Sequence, residues 1–222
     1  MIKSYITDSS ESGFVSKKLS TLFLRLSLIV LIAGGLFLPQ SQTNAYAQDC
    51  ELVPQNPINN CGFETGDFTS WVTQDLTEPF LPLQVGGAGV DQDNTDNFGF
   101  FLSDPTQGVW AALNGFDGDG PGTIRIAQDV ALPAGSTNLT FDYRCAWELF
   151  EFGASEDRTF SVNIEESGGG ALLQSDLIFT AAAGTTAIPD SGGNLTGVVD
   201  VSAFADQPVR ISFDWFVLQT FT

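Results

Sequence analysis

Polar and apolar residues alternate along several segments of the chain. In residues 138–147, Leu139, Phe141, Tyr143 and Cys145 fall on one side, and mostly polar residues fall on the other. A period of two is typical of a β-strand with one buried face. The same alternation predicts strands in residues 109–113, 124–130, 160–164, 172–180, 195–201 and 208–217.

Turn-forming residues separate these segments, as in the run NGFDGDGPG of residues 114–122. A short strand is also expected at residues 72–73, ahead of two prolines and a long acidic loop over residues 86–97. No stretch has a helical period of useful length. About eight or nine strands at short spacing predict an all-β fold, an antiparallel two-sheet β-sandwich.

The first 47 residues have the features of a signal peptide. Lys17, Lys18 and Arg25 precede an apolar run over residues 26–38, which is short for a membrane span of roughly twenty residues. Residues 45–47, Ala-Tyr-Ala, have the small-x-small pattern that signal peptidase cuts. The alternative is a retained N-terminal anchor.

Cleavage after residue 47 would leave one domain, residues 48–222. That domain has four arginines, no lysine and 25 acidic residues, which give a net charge of about −21. Such a surface repels nucleic acid and anionic lipid, because both are bound through Lys and Arg. It suits divalent cations and neutral ligands, or it serves only to keep a secreted protein soluble.

Three cysteines, Cys50, Cys61 and Cys145, follow this leader. Export would place them in an oxidising compartment, where a disulfide is expected. Cys50 and Cys61 flank a loop with two prolines, and we predict a bridge between them with Cα atoms within roughly 7 Å. Cys145 continues the apolar side of its strand, so we expect it to be buried and unpaired.

Residues 61–71 read CGFETGDFTSW, in which Phe63 and Trp71 are large apolar anchors. The turn formers between them predict a strand-turn-strand unit with two carboxylates, Glu64 and Asp67, at its bend. The stretch resembles the N-terminal signature of the galactose-binding-like jelly-roll sandwiches, which include many carbohydrate-binding modules. The resemblance implies jelly-roll topology and a structural calcium ion at Glu64, with Asp67 within reach on the same turn.

Four later segments extend this resemblance over nearly all of residues 48–222. They are AALNG at 111–115, VALPAG at 130–135, LTFDYR at 139–144 and VRISFDW at 209–215. In the domains that the chain resembles, a final apolar strand follows and closes the first sheet. The resemblance therefore implies that this chain lacks its final strand, has an open sheet edge near Phe63 and Trp71, and self-associates through that edge.

Catalysis has few residues to use, because the chain contains no histidine. This removes Ser-His-Asp and Cys-His arrangements and imidazole metal sites. Glu148 with Glu151, or Glu165 with Glu166, could supply the carboxylate pair of a glycoside hydrolase. Acidic pairs are unavoidable in so acidic a chain, so we expect no enzyme activity.

Two acidic loops offer further oxygen ligands for calcium. A plain surface turn is the alternative for each loop, and neither has the spacing of an EF-hand. Their candidate ligands are Asp91, Asp93, Asp96, Asp117 and Asp119.

Sugar binding depends on exposed aromatic rings beside polar groups. Trp110, Trp147, Phe150 and Phe152 are the candidates, and the last three lie in the loop WELFEFG of residues 147–153. A second aromatic cluster lies at residues 98–101. Core packing is the alternative role at each of these positions.

These observations predict a secreted, non-catalytic binding module for a polysaccharide or cell-surface glycan. The alternative is a structural or adhesive protein of the cell surface or extracellular matrix without a specific sugar site. The two hypotheses differ at Trp147 and its neighbours, which the first exposes in a groove and the second buries.

Overall fold

The structure, a computed structural model, describes residues 2–8, 50–79, 81–90, 103–114, 120–187 and 194–218. In these ranges the chain forms twelve β-strands and two 3-10 turns, at Cys50–Leu52 and Ser202–Phe204. No helix in these ranges is long and apolar enough to cross a membrane. The strands are β1 (Ile2–Asp8), β2 (Val72–Gln74), β3 (Gln84–Gly87), β4 (Trp110–Leu113), β5 (Gly122–Ala131), β6 (Ser136–Tyr143), β7 (Trp147–Glu148), β8 (Arg158–Glu166), β9 (Leu172–Ala181), β10 (Thr186–Ala187), β11 (Leu195–Asp200) and β12 (Pro208–Val217).

One layer is a five-stranded antiparallel sheet in the order β2-β5-β12-β8-β9. Its central strand, β12, pairs along its whole length with β5, from Pro208 opposite Ala131 to Val217 opposite Gly122. On its other side β12 pairs with β8. The alternate residues Val209, Ile211 and Phe213 are buried, and this apolar side faces the core.

The second layer contains the three-stranded sheet β1-β6-β11 and the two-stranded ribbon β3-β4. Leu139 and Phe141 of β6 and Val199 of β11 join the residues of β12 in one buried cluster. The chain passes from β5 to β6, back to β8 and β9, and again to β11 and β12, so it repeatedly changes sheet. The predicted all-β, antiparallel two-sheet sandwich with jelly-roll topology is confirmed.

The two ends of the chain bear on the predicted domain boundaries. Strand β1 lies within the segment that we interpret as a leader, and cleavage of that leader remains a prediction. Strand β12 ends at Val217, and residues 219–222 lie outside the described ranges. The predicted absence of a final strand therefore also remains a prediction.

The turn before β2 differs from the predicted strand-turn-strand unit. Residues 59–70 form successive turns and bends, and strand structure begins only at Val72. The Asn60 side chain explains the difference, since its Nδ2 donates to the carbonyls of Asp67 and Thr69, each at 3.0 Å. These side-chain bonds close the segment into a compact loop, and the predicted first strand of the unit is wrong.

The cysteines pair as the sequence predicts. Cys50 and Cys61 form a disulfide with a Cα–Cα distance of 6.1 Å, as predicted. Cys145 is free, but it is only partly buried, which corrects the expectation of a core residue. Strand β6 ends at Tyr143, so the alternation that would bury Cys145 stops before reaching it.

We expect that replacing both Cys50 and Cys61 by alanine lowers the free energy of unfolding by roughly 3 kcal/mol, because the bridge closes a short loop of the unfolded chain. Urea unfolding followed by tryptophan fluorescence measures this. Cys145→Ser is the control and should change the same quantity by less than about 1 kcal/mol. Equal stability of the three proteins would show that the bridge contributes nothing.

Candidate functional site

The loop from Trp147 to Ala154 is fastened at both of its ends. Strand β7, which opens the loop, pairs with β10, with Trp147 opposite Ala187. The amide of Leu149 donates to the carbonyl of Thr185 at 2.8 Å, and the amide of Ala154 donates to the carbonyl of Leu149 at 3.1 Å. The loop is therefore an ordered part of one end of the sandwich.

The Glu148 carboxylate organises the interior of this loop. Its Oε1 accepts hydrogen bonds from the amides of Phe150 and Glu151, both at 2.9 Å. The hydroxyl of Thr186 donates to the same carboxylate at 2.6 Å. The bonds from Thr186 and then Glu151 lower the pKa of Glu148, so this group stays ionised and holds the turn. Glu148 thus accepts a bond from the backbone of Glu151. This arrangement favours a structural role for Glu148 over a catalytic one.

Trp147 is fixed by a hydrogen bond and by ring contacts. Its Nε1 donates to the hydroxyl of Thr185 at 3.0 Å. The indole lies parallel to Phe179, with centroids 5.9 Å apart and an interplanar angle of 10°. Phe179 in turn stacks on Tyr143 at 5.9 Å and 7°. The partly buried Trp147 therefore ends a row of parallel rings that leads to the core.

Phe150 is the most exposed aromatic residue of the loop, with 69% of its surface accessible. Phe152 is partly buried. Three of the four predicted sugar-binding aromatics thus lie on one loop, and one of them, Phe150, is largely exposed to solvent. Trp110 lies elsewhere, on β4, where it packs against the core cluster, and that contact favours the alternative packing role.

The carboxylate of Glu64 caps the start of β4. It accepts hydrogen bonds from the amide of Val109 at 3.1 and 3.0 Å and from the amide of Trp110 at 3.4 Å. Gly108 lies so close that a Cβ there would overlap this carboxylate. Glu64 thus ties the turn that follows Cys61 to the β3-β4 ribbon.

Asp67 stabilises its own turn. Its Oδ1 accepts from the amide of Thr69 at 2.9 Å and from the hydroxyl of Thr65 at 2.7 Å. These bonds, from Thr69 first and then Thr65, lower the pKa of Asp67. Each of the two predicted metal ligands therefore already accepts hydrogen bonds, Asp67 within its own turn and Glu64 from β4 and the residue before it.

The described residues contain no group of three or more Cys, Asp or Glu side chains that could hold a metal ion. The other carboxylates considered for calcium, Asp91, Asp93, Asp96, Asp117 and Asp119, lie outside the described ranges, as does the aromatic cluster at residues 98–101. Calcium binding remains a prediction.

A polar network that we did not predict covers the outward face of the five-stranded sheet. The guanidinium of Arg125 binds Asp214 through Nε at 2.8 Å and through a second nitrogen at 2.5 Å. Its Nη1 lies 2.9 Å from the carboxylate of Glu165, and Asn163 donates to Asp214 at 2.7 Å. Asp214 and Glu165 are both buried, so Arg125 offsets part of the negative charge that the two carboxylates bring together.

The sequence feature that could have indicated this network is the set of polar residues that alternate with the apolar ones on each strand. Arg125 lies directly opposite Asp214 on paired strands, whereas Glu165 and Glu166 follow each other on one strand and point to opposite faces. The side chain of Glu165 is consequently buried against Arg125, while that of Glu166 is exposed. These two glutamates therefore do not form a catalytic pair.

No protein-family model and no curated protein matches the chain. Among solved structures, the chain is similar to TmCBM61 in complex with beta-1,4-galactotriose. The identity is 17%, the alignment covers 75% of this chain and 90% of that chain, and the TM-score is 0.42. At that TM-score the similarity carries no argument about function.

The contact between Gly108 and Glu64 can be tested with a matched pair of glycines. Gly108 and Gly89 both have positive φ, 58° and 79°, but no atom lies within 4 Å of a Cβ built at Gly89. We expect Gly89→Ala to cost about 1–2 kcal/mol for the backbone alone. Gly108→Ala should cost at least about 1 kcal/mol more, because Glu64 must leave its amide donors.

Urea unfolding of the two alanine variants measures this difference. In a Glu64→Ala background the extra cost at Gly108 should disappear, since no carboxylate remains to be displaced. Equal losses at Gly89 and Gly108 in the parent protein would contradict the capping role of Glu64.

Proposed function

We propose that the protein is a secreted, non-catalytic binding module whose ligand is a polysaccharide or cell-surface glycan. The observation that carries the proposal is Phe150, a largely exposed aromatic residue on a loop fastened by Glu148 and Thr185. A flat apolar ring on a loop whose backbone is already fixed offers a stacking surface for a pyranose. Trp147 and Phe152 on the same loop extend the aromatic surface.

The charge and the carboxylates support a neutral ligand and a non-catalytic role. A net charge of −19 for the whole chain disfavours anionic partners. The carboxylates of Glu148 and Asp214 accept hydrogen bonds from fixed neighbours, whereas a general acid must be free to exchange its proton with substrate. The Cys50–Cys61 disulfide is consistent with an oxidising compartment.

A structural or adhesive role is the second candidate, and the edge strand β9 favours it. Strand β9 lies at one edge of the five-stranded sheet. Leu172, Leu173 and Leu177 on this strand are exposed, at 59%, 46% and 61%. An edge strand with exposed apolar residues is suited to contact with another protein surface.

A glycan array followed by calorimetry tests the sugar-binding proposal. We expect Phe150→Ala to weaken binding to the best glycan at least about tenfold, the effect of losing one stacked ring. Its melting temperature should not change, because the ring makes little buried contact. Phe216→Ala is the control, since Phe216 is also an exposed aromatic, at 39%, but lies on β12.

Two outcomes decide between the candidates. Equal affinities for the Phe150 and Phe216 variants would remove the loop as the binding site. An array with no hit on plant, algal or bacterial polysaccharides would favour the structural role.

We also propose a structural calcium ion at the turn that carries Glu64 and Asp67. Calcium at a hundredfold excess over its Kd would stabilise the fold by about 2.7 kcal/mol. The melting temperature should therefore be higher in calcium than in EDTA, and this difference should vanish in Glu64→Gln and shrink in Asp67→Asn.

Asp200→Asn is the control for the metal test, because Asp200 accepts the same kind of turn bond, from the amide of Ser202 at 2.8 Å. It should leave the calcium-dependent difference unchanged. Identical melting temperatures of the parent protein in calcium and in EDTA would remove the metal from the proposal.

A further inference from the structure

Strand β6 is the middle strand of its sheet only because the N-terminal segment pairs with it. Strand β1 runs antiparallel to β6 from Ile2 opposite Tyr143 to Asp8 opposite Ser136. The other side of β6 pairs with β11, with Leu195 opposite Tyr143. Without β1, one row of backbone N–H and C=O groups along β6 would have no strand beside it.

Strand β1 also has neighbours other than β6. Cα atoms of β1 approach those of β4 and of the 3-10 turn at Cys50–Leu52 within 8 Å. Within the described residues, β4 pairs with β3 and not with β6. Strand β1 thus occupies a slot one strand wide, with β6 on one side and the β3-β4 ribbon on the other.

Signal cleavage after residue 47 would remove β1 from the molecule. If no other segment took the place of β1, the slot would then open beside Leu139 and Phe141, which are fully buried in the core. An open edge above a buried core is a template for pairing with another extended chain.

We propose that this slot is a strand-accepting site. In the unprocessed chain it holds the protein's own β1, and after cleavage it takes an extended terminal segment of a partner polypeptide, about seven residues long and antiparallel to β6. The proposal rests on the signal cleavage that is part of the proposed function.

The shape of the slot favours a single free segment as the occupant. The edge of a second folded copy carries its whole sheet with it, and β4, which lies within 8 Å of β1, would be crowded by such a sheet. Charge favours a segment that is not acidic, because residues 48–222 carry a large negative charge. The register places Lys3 opposite Asp142, so a basic residue at that point of the segment is expected to suit the site.

The test uses the exported protein, with its N-terminus determined by mass spectrometry. The probe is a synthetic peptide of residues 1–10, MIKSYITDSS, and the control is a peptide of the same composition in scrambled order. Hydrogen exchange is measured with and without each peptide. We expect the probe to slow exchange in β6 at least about tenfold and to leave β12, in the other sheet, unchanged.

A charge reversal tests the register. Asp142→Lys should weaken binding of the probe about two- to fivefold, the effect of one cross-strand charge pair. A probe with Lys3→Asp should bind this variant more tightly than it binds the parent protein. Asp200→Lys on β11 is the control and should leave the affinity for both probes unchanged.

Three outcomes would overturn the proposal. In the first, the probe protects β6 no better than the scrambled peptide does. In the second, the exported protein still carries residues 1–47. In the third, the exported protein is a dimer that the probe dissociates, which would make a second copy the occupant. Glycan binding in the same preparation separates these failures from failure of the proposed function, because it depends on Phe150 and not on β6.

Discussion

A contact between aromatic rings joins the turn before β2 to both sheets, and the rest of the structure depends on it. Phe63 stacks on Trp71 at 5.4 Å, Trp71 contacts Phe213 of β12 at 6.3 Å, and Phe213 meets Phe141 of β6 at 5.0 Å. Each such pair contributes about 0.5–1.5 kcal/mol beyond the area that it buries. Phe63 adopts a φ of 61°, which is unusual for a bulky residue. The backbone of Phe63 is bonded on both sides, since its amide donates to the Asn60 carbonyl at 3.0 Å and its carbonyl accepts from the Gly66 amide at 2.9 Å.

The same rings determine where the candidate functional groups lie. From Phe141 the contacts continue to Tyr143 at 5.8 Å, and then through Phe179 to Trp147. The loop that presents Phe150 is therefore connected to the centre of the core by consecutive ring contacts. On the other side, the turn that buries Phe63 also carries Glu64 to the amide of Val109.

The sequence predicted eight of the described strands, because side chains on a strand alternate and the core buries every second one. It missed β1, β7 and β10, and it missed β3, which overlaps the predicted loop at residues 86–87. It could not predict contacts that depend on strand register. Arg125 meets Asp214 only because β5 and β12 are aligned so that the two are opposite, and alternation within one strand leaves that alignment open. The loop at Asn60 was missed for a related reason, since an asparagine side chain that bonds to backbone seven and nine residues away leaves no periodic signal.

The hydrogen bonds of the outward sheet face explain why we propose the exposed loop, and not that face, as the binding surface. On the outward sheet face, Arg125 is shared by two buried carboxylates, and a ligand that displaced it would leave those charges unpaired at a cost of several kcal/mol. Phe150 requires no such rearrangement. Its loop is already held by Glu148, so a ligand that stacks there removes apolar surface from water without breaking an internal bond. The loop therefore offers apolar surface to a ligand without disturbing the ion pairs of the sheet.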